Sequence, residues 1–369
     1  MELQTVFWDE DRFNRSENEW QQLLAQSDAD ALFLSWHWMH GWWQIFRKYS
    51  QELRILGVYR DEQLIGIAPL HLHRGLYLGG KLPSKRLELL GSCSGKPAGL
   101  LSEYLGFVLH RDFEKKALEA IIDSLDKLTS WQEIRLQHIP LESPLNNVLH
   151  HLGKIRELDR STGYPIDTRG SFEDYLAGLG RNTRLKLFNR RKLLAGLGTV
   201  ELRPVEEGGI DRLIDALNEF DKIRFGHDST INALARRQFH QLHDSMPGLS
   251  ITSHSSLLYL DDELLSVIIN FRLGRCVYNM QLGYRPDFHK KISLGTLHLG
   301  YALEAAFEDP EIDRFDLLLG SGKNSDYKRH LTDRRREAAS WQVLRSPLLR
   351  TLFAINDGGK ALLRRLSSS

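Results

Sequence analysis

Two stretches of this chain repeat one another. Tyr59-Arg-Asp-Glu-Gln-Leu-Ile-Gly-Ile-Ala68 is matched by Tyr259-Leu-Asp-Asp-Glu-Leu-Leu-Ser-Val-Ile268, with tyrosine, acidic turn and apolar exit strand in the same order. Glu52–Arg60 and Gln63–Leu72 read as a hairpin around Asp61-Glu62, and Leu249–Leu260 with Leu264–Leu273 as another around Asp261-Asp262-Glu263. Each hairpin is followed by a helix and then an apolar strand: Phe113–Leu128 with Trp131–His138, and Gly295–Glu308 with Ile312–Leu319. Acidic turns between apolar strands are common, so the weight rests on the shared helix–strand order. Together these features predict duplication of one α/β unit.

The length agrees with that reading, because 369 residues exceed what one hydrophobic core usually organises. A hydrophobic fraction of 41% beside 26% charged residues is that of a globular chain. The formal net charge of +1 supplies no global field toward nucleic acid or anionic membrane. Cys93 and Cys276, the only two cysteines, lie far apart in dissimilar settings, which fits a reducing compartment. The first residues are acidic and carry no apolar signal core. No stretch reaches the roughly 18 apolar residues of a membrane span. The expected location is cytoplasmic.

Glu19–Gln26 and Ser35–Arg47 read as helices, the second carrying Trp36, Trp38, Trp42, Trp43 and Phe46 toward a core. Arg86–Leu90, Tyr104–Leu109, Cys276–Gly283 and Glu337–Leu344 are further strand candidates, and a basic helix follows the last. Ser171-Phe-Glu-Asp174 is a capping signature. It precedes Arg181-Asn-Thr-Arg-Leu-Lys-Leu-Phe-Asn-Arg-Arg-Lys192, six cations without an acid. Such a run is either a solvated helical face or a clamp for phosphates.

The strongest constellation for chemistry runs from Cys276 to Arg329. A strand leads through Tyr284 and the basic loop with Lys290 and Lys291 into a helix opening at Gly295-Thr296. Helix starts present free N–H groups and a positive dipole end, so they bind phosphate. Ser293 is a good N-cap type and Gly295 permits close backbone approach, which makes a pyrophosphate cradle. Asp316 is a lone acid in the apolar run Phe315–Leu319, where burial demands pairing or function. Tyr327 and Lys328 follow in the polar loop 320–329, where α/β folds place their sites. A structural ion pair of Asp316 with Arg314 or a nearby lysine is the competing explanation.

The ordered set Gly283-Tyr284, Asp287-Phe288, Ser293-x-Gly295-Thr296-Leu297, Phe315-Asp316, Gly320 and Tyr327-Lys328 resembles the C-terminal GNAT-like domain of FemAB/CelD-type acyltransferases. Leu34-Ser35-Trp36-His-Trp38 with Trp42-Trp43 is similar to their N-terminal segment, so the resemblance spans most of the chain. It implies an α/β (α+β) fold of two tandem GNAT-like domains, each a mixed, largely antiparallel sheet flanked by helices. It implies a degenerate domain at 1–165 and a transferase domain at 166–369, with the basic helix 181–196 near the junction. The chain departs from the pattern at Leu294, where the family often has proline, and at Arg329-His330-Leu331, where an aromatic often follows.

The activity so implied is transfer of an acyl group from acyl-CoA, acetyl-CoA in the simplest case, to an amine of a small molecule, amino sugar or polysaccharide precursor. The expected donor-binding residues are Gln281, Leu282, Gly283, Lys290, Lys291, Ser293, Gly295 and Thr296. Asp316 is the expected base, Tyr327 the acid toward the leaving thiolate, and Lys328 the partner of phosphate or oxyanion. Aminoacyl-tRNA is the alternative donor, and a non-catalytic scaffold in a polysaccharide system the third reading. No nucleic-acid partner other than tRNA is expected, and no metal.

Other signals are weaker. Gly91-Ser-Cys93-Ser-Gly95 imitates a nucleophile elbow, but Lys96-Pro-Ala-Gly99 after it is loop chemistry. His37 with His40 and His71 with His73 lack further ligands at metal-site spacing. His227 and Asp228 are candidates for an acceptor cleft. Leu348–Leu366, with Arg350, Lys360, Arg364 and Arg365, either packs on its own domain or makes peripheral membrane contact.

Overall fold

The computed structural model describes residues 3–92, 99–205, 209–226, 232–244, 251–320, 326–355 and 357. The stretch Cys93–Gly95, His227 and Asp228, residues 321–325 of the loop after Gly320, and the chain beyond Asp357 therefore lie outside the described residues.

In chain order the strands are β1 Leu3–Trp8, β2 Glu52–Arg60, β3 Gln63–Tyr77, β4 Leu82–Leu89, β5 Val108–Leu109, β6 Glu133–Pro140, β7 Lys154–Asp167, β8 Val200–Pro204, β9 Ile251–Ser253, β10 Ser256–Leu260, β11 Glu263–Leu273, β12 Cys276–Tyr284, β13 Arg314–Gly320 and β14 Arg336–Leu344. The helices used below are α1 Glu17–Ala25, α2 Trp36–Phe46, α3 Glu114–Lys127, α4 Phe172–Gly178, α5 Ile210–Phe225, α6 Ala233–Asp244 and α7 Leu294–Glu308. A last helix, α8, covers 347–355. The chain forms two compact units: Met1–Lys96 with Leu101–Arg160 and the stretch from Ala338, and Ser161–Glu337 with Pro97–Leu100.

In the first unit the sheet runs β1-β2-β3-β4-β6-β14, with β5 on β3. Every pairing there is antiparallel except β4 with β6. In the second it runs β7-β13-β12-β11-β10-β8, with β9 on β11, and only β12 with β13 is parallel. In each unit one helix, α3 or α7, bridges the parallel pair. The fold is thus α/β with two like units, and the likeness reaches irregular details. The β2–β3 hairpin shifts register between Val58 and Tyr59, and β10–β11 shifts between Leu258 and Tyr259, at matching positions. The turns also agree: Asp61, Asp261 and Asp262 all adopt positive φ, a conformation aspartate tolerates.

Burial explains these elements. In α3 the buried residues Ala117, Leu118, Ile121, Ile122 and Leu125 recur at helical spacing and form one apolar stripe. In α7, Leu297, His298, Leu299, Gly300, Ala302 and Leu303 are all buried, so the helix is covered nearly all round. Its outer cover is the basic segment, which is not one regular helix. A π turn, Leu185–Asn189, with Arg190 N–H donating to the Leu185 carbonyl (3.1 Å), interrupts it. That turn lays Leu187 on α7 at Gly300, where an added Cβ would collide with the Leu187 carbonyl oxygen.

Tyr104–Leu109 is a strand only at Val108–Leu109, because Tyr104 takes φ 50 and breaks the extension. The polar strands β7 and β8 carry little apolar alternation, so neither was evident in the sequence.

Candidate active site

The site grows from the one parallel pair of the second unit. β12 and β13 pair over three rungs, Cys276–Arg314, Val277–Phe315 and Tyr278–Asp316. Beyond Tyr278, β12 continues along β11, while β13 continues along β7 to Gly320. The paired register ends at Tyr278–Asp316, and the two strands lead away from that rung with different partners. A bulge accompanies this on each side: Met280 is skipped between Asn279 and Gln281, and Leu317 with Leu318 face only Tyr164.

The bulge in β13 places Leu318 at φ 61, a strained conformation for a leucine. Two charges hold it. Asp316, 1% exposed, accepts the Leu318 N–H at 2.8 Å. Lys328 donates to the carbonyls of Leu317 (2.6 Å), Leu318 (3.3 Å) and Leu319 (3.1 Å). Through these contacts the Lys328 ammonium ties down β13. Arg314 Nε donates to Cys276 Sγ at 3.1 Å. Burial opposes the Arg314 charge, but Cys276 and Asp316 outweigh it and hold the guanidinium above its ordinary pKa.

The far end of β12 meets the start of α7. An added Cβ at Gly295 would stand 2.7 Å from Leu282 and 2.8 Å from Tyr284. One at Gly283 would stand 2.5 Å from Leu217 of α5. Both glycines therefore serve helix–sheet packing. Ser293 holds the N-cap position without capping a backbone N–H, because its hydroxyl pairs with Thr296 Oγ1 at 3.0 Å. The first turn of α7 is left without a side-chain cap.

Beside that turn lies a cavity of about 660 Å³, lined among others by Lys186, Tyr284, Arg285, Lys290, Lys291 and Ser293. Its cations outnumber Asp287, the acid in the lining, and Arg285 pairs with Glu263. Lys290 and Lys291 are exposed at its mouth. Lys186 comes from the π turn, and nothing in the basic run marked that one cation over its neighbours. Arg191, by contrast, stands 4.5 Å over Phe188 and 3.8 Å over Tyr301 and pairs with Glu304, as a packing residue. Arg224 stacks 5.2 Å over Tyr284. The Tyr327 phenol, although 38% of the residue faces solvent, is raised above its ordinary pKa by burial and then by Tyr284.

A buried polar chain without a local sequence signal lies beneath this end of the sheet. His298 lies within hydrogen-bond reach of Ser256 Oγ (2.9 Å) and Ser266 Oγ (3.0 Å), and Ser266 donates to the Gly283 carbonyl at 2.8 Å. Among the described residues no group of three His, Cys, Asp or Glu is arranged to hold a metal. No described helix is long and apolar enough to cross a membrane.

Residues 181–329 match the family model described as an acetyltransferase (GNAT) domain, so this stretch belongs to that family. The matched stretch is thus an acyltransferase domain of GNAT fold, and it contains β12, α7 and β13. The fold of the chain is FemAB-like. The crystal structure of FemX is similar with a TM-score of 0.63 at 13% identity, covering 95% of this chain and 99% of that one. A tandem GNAT protein from the clavulanic acid biosynthesis pathway gives 0.51 at 15% identity, covering 94% and 99%. L-PGS from Bacillus licheniformis gives 0.50 at 12%, covering 94% and 96%. At such identities the likeness is one of fold. No curated protein matches the chain.

Proposed function

We propose that this enzyme moves an acyl group, acetyl in the simplest case, from acyl-CoA to an amine of a small molecule, amino sugar or polysaccharide precursor in the cytoplasm. The observation that carries the reading is the separation of β12 from β13 past Tyr278–Asp316, with the far end of β12 meeting an uncapped helix start beside a cationic cavity. The donor's pantetheine lies along the open edge of β12 near Gln281, Leu282 and Gly283. Its diphosphate meets the first turn of α7 at Ser293–Thr296, with Lys290, Lys291 and Lys186 supplying charge. The amine attacks the thioester carbonyl, the C–S bond breaks, the amine proton passes to Asp316 through water, and Tyr327 protonates the thiolate. Lys328 acts by keeping the Asp316 strand in shape.

The first unit supports the division of labour. There the region past the β4–β6 rungs is filled by the chain itself. His138 Nδ1 lies 3.1 Å from the Ser102 carbonyl, and an added Cβ at Gly91 would stand 2.8 Å from Ser102 Oγ. We therefore assign transfer to the second unit and regard the first as degenerate.

Exposed Arg181, Lys186 and Lys192 favour a second reading, in which the donor is an aminoacyl ester of tRNA. Calorimetry with acetyl-CoA and with tRNA at about 50 and 200 mM salt separates the two. Acetyl-CoA binding that weakens at least about tenfold in the Lys290→Ala, Lys291→Ala protein supports the first reading. Binding of tRNA alone, with a steep salt slope, overturns it in favour of the second, and binding of neither ligand defeats both.

A further inference from the structure

We infer that the first unit carries a docking surface for an anionic lipid membrane, formed by the end of the β3–β4 hairpin and helix α8. The two elements are neighbours: the rings of Tyr77 and Phe353 meet edge to face at 5.1 Å. That junction is rigidly held from the protein side. Tyr77 donates to the buried Glu133 at 2.6 Å, and Arg156 stands 4.2 Å over the Phe353 ring while pairing with Asp357 at 2.6 Å.

What the junction presents outward is aliphatic. Leu76 and Leu78 on either side of Tyr77 are 57% and 61% exposed, and Leu348 and Ile355 of α8 are 60% and 72% exposed. Leu348 and Ile355 are seven residues apart, so they share one helix face. Leu78 sits at φ 52, a conformation that disfavours a bulky side chain, at the corner where β3 leaves its pairing with β4. A polar or glycine residue would satisfy that corner with less strain, and an exposed leucine there is unexplained by folding.

The charges around these side chains select the partner. Between Arg74 and Arg86 there is no acid, and Arg74, Lys81 and Lys85 are exposed. Between Ser346 and Asp357 the one acid is Asp357, which Arg156 already pairs, and Arg350 is an exposed cation. Protein interfaces are enriched in aromatic residues at their centres, whereas exposed leucine and isoleucine beside a mainly basic rim is the composition of interfacial membrane segments. The near-zero net charge of the whole chain makes this local asymmetry the relevant field. The inference does not depend on the acyl-transfer reading.

Sedimentation of the full chain with phosphatidylcholine vesicles, and with vesicles that also contain phosphatidylglycerol, tests it. The expected result is at least about tenfold stronger binding to the anionic vesicles at about 0.1 M salt, lost at about 1 M. Replacing Leu78 and Ile355 together by Ser lowers that binding at least about tenfold with the melting temperature unchanged, and Lys81→Glu alone lowers it about fivefold or more. Equal partition onto neutral and anionic vesicles overturns the inference, as does undiminished binding by either variant. So does light scattering that shows a dimer of the native chain dissolved by the Leu78, Ile355 replacement, because the surface then belongs to a protein interface.

Discussion

The His298 imidazole and the Ser266 hydroxyl, 3.0 Å apart, join the first turns of α7 to β11 and, through the Gly283 carbonyl, to the end of β12. Ser266 donates its one proton to the Gly283 carbonyl, so it accepts from His298 Nδ1–H, and Nε2 is left to accept from Ser256. The neutral imidazole with its proton on Nδ1 satisfies that chain. Burial agrees, holding the His298 pKa down at about 3. The contact fixes where the helix start stands relative to the strand that precedes the basic loop.

Acid should therefore weaken the fold in a defined window. His298 and His71 are both buried, with pKa values lowered to about 3 and about 4, by burial first in each case. An unfolded chain protonates both near pH 6.5, so the native state binds fewer protons below that pH. Their contribution is intact above pH 6.5. It declines as pH falls toward 4 and 3, with a limiting slope of about 1.4 kcal/mol per pH unit for each histidine. Urea unfolding between pH 7 and 5 should show this loss, and His298→Gln should reduce its slope while lowering stability at pH 7.

Lys328→Met removes the ammonium that binds three successive carbonyls of β13. A hydrogen bond to a charged group contributes about 1.5–3 kcal/mol, so a loss of that order is expected in chemical denaturation. Activity should fall as well, through displacement of Asp316, with more effect on turnover than on donor affinity. Unchanged stability would remove Lys328 from the β13 bulge.

Gly300→Ala runs against helix propensity. In a helix interior alanine is normally better than glycine by about 1 kcal/mol. Here the new methyl meets the Leu187 carbonyl of the π turn, backbone that cannot rotate away. We expect destabilisation instead of gain, read as a lower melting temperature.

Asp316→Asn retains an oxygen able to accept the Leu318 N–H, so the bulge should persist while the base is lost. Turnover should drop about a hundredfold or more with an intact melting transition, a size typical of general bases. Tyr327→Phe should depress turnover by a smaller factor. Full activity in both variants would exclude these residues from the proton path.

Much of the architecture could be read from residue order alone. The Tyr59 and Tyr259 hairpins announced themselves because a strand's period and an acidic turn are local properties, and the structure has them at Glu52–Arg60 and Ser256–Leu260. The start of α7 was evident from Ser293 onward for the same reason. Strand β7 was not, since its mixed polar residues carry no alternation and its pairing with β13 fixes it from outside.

The sequence by itself determined the two like units, the helix–strand order that makes the second a transferase domain, and the place of Lys290 and Lys291 ahead of a helix. Tertiary structure alone decided that Lys328 holds strand carbonyls, that Gly295 and Gly300 make room for protein, that Lys186 faces the cavity, and that His298 stays neutral. The reason is range: propensity and period act over a few residues, while a side chain's partner and its dielectric surroundings are set by segments brought together only when the sheet and α7 assemble.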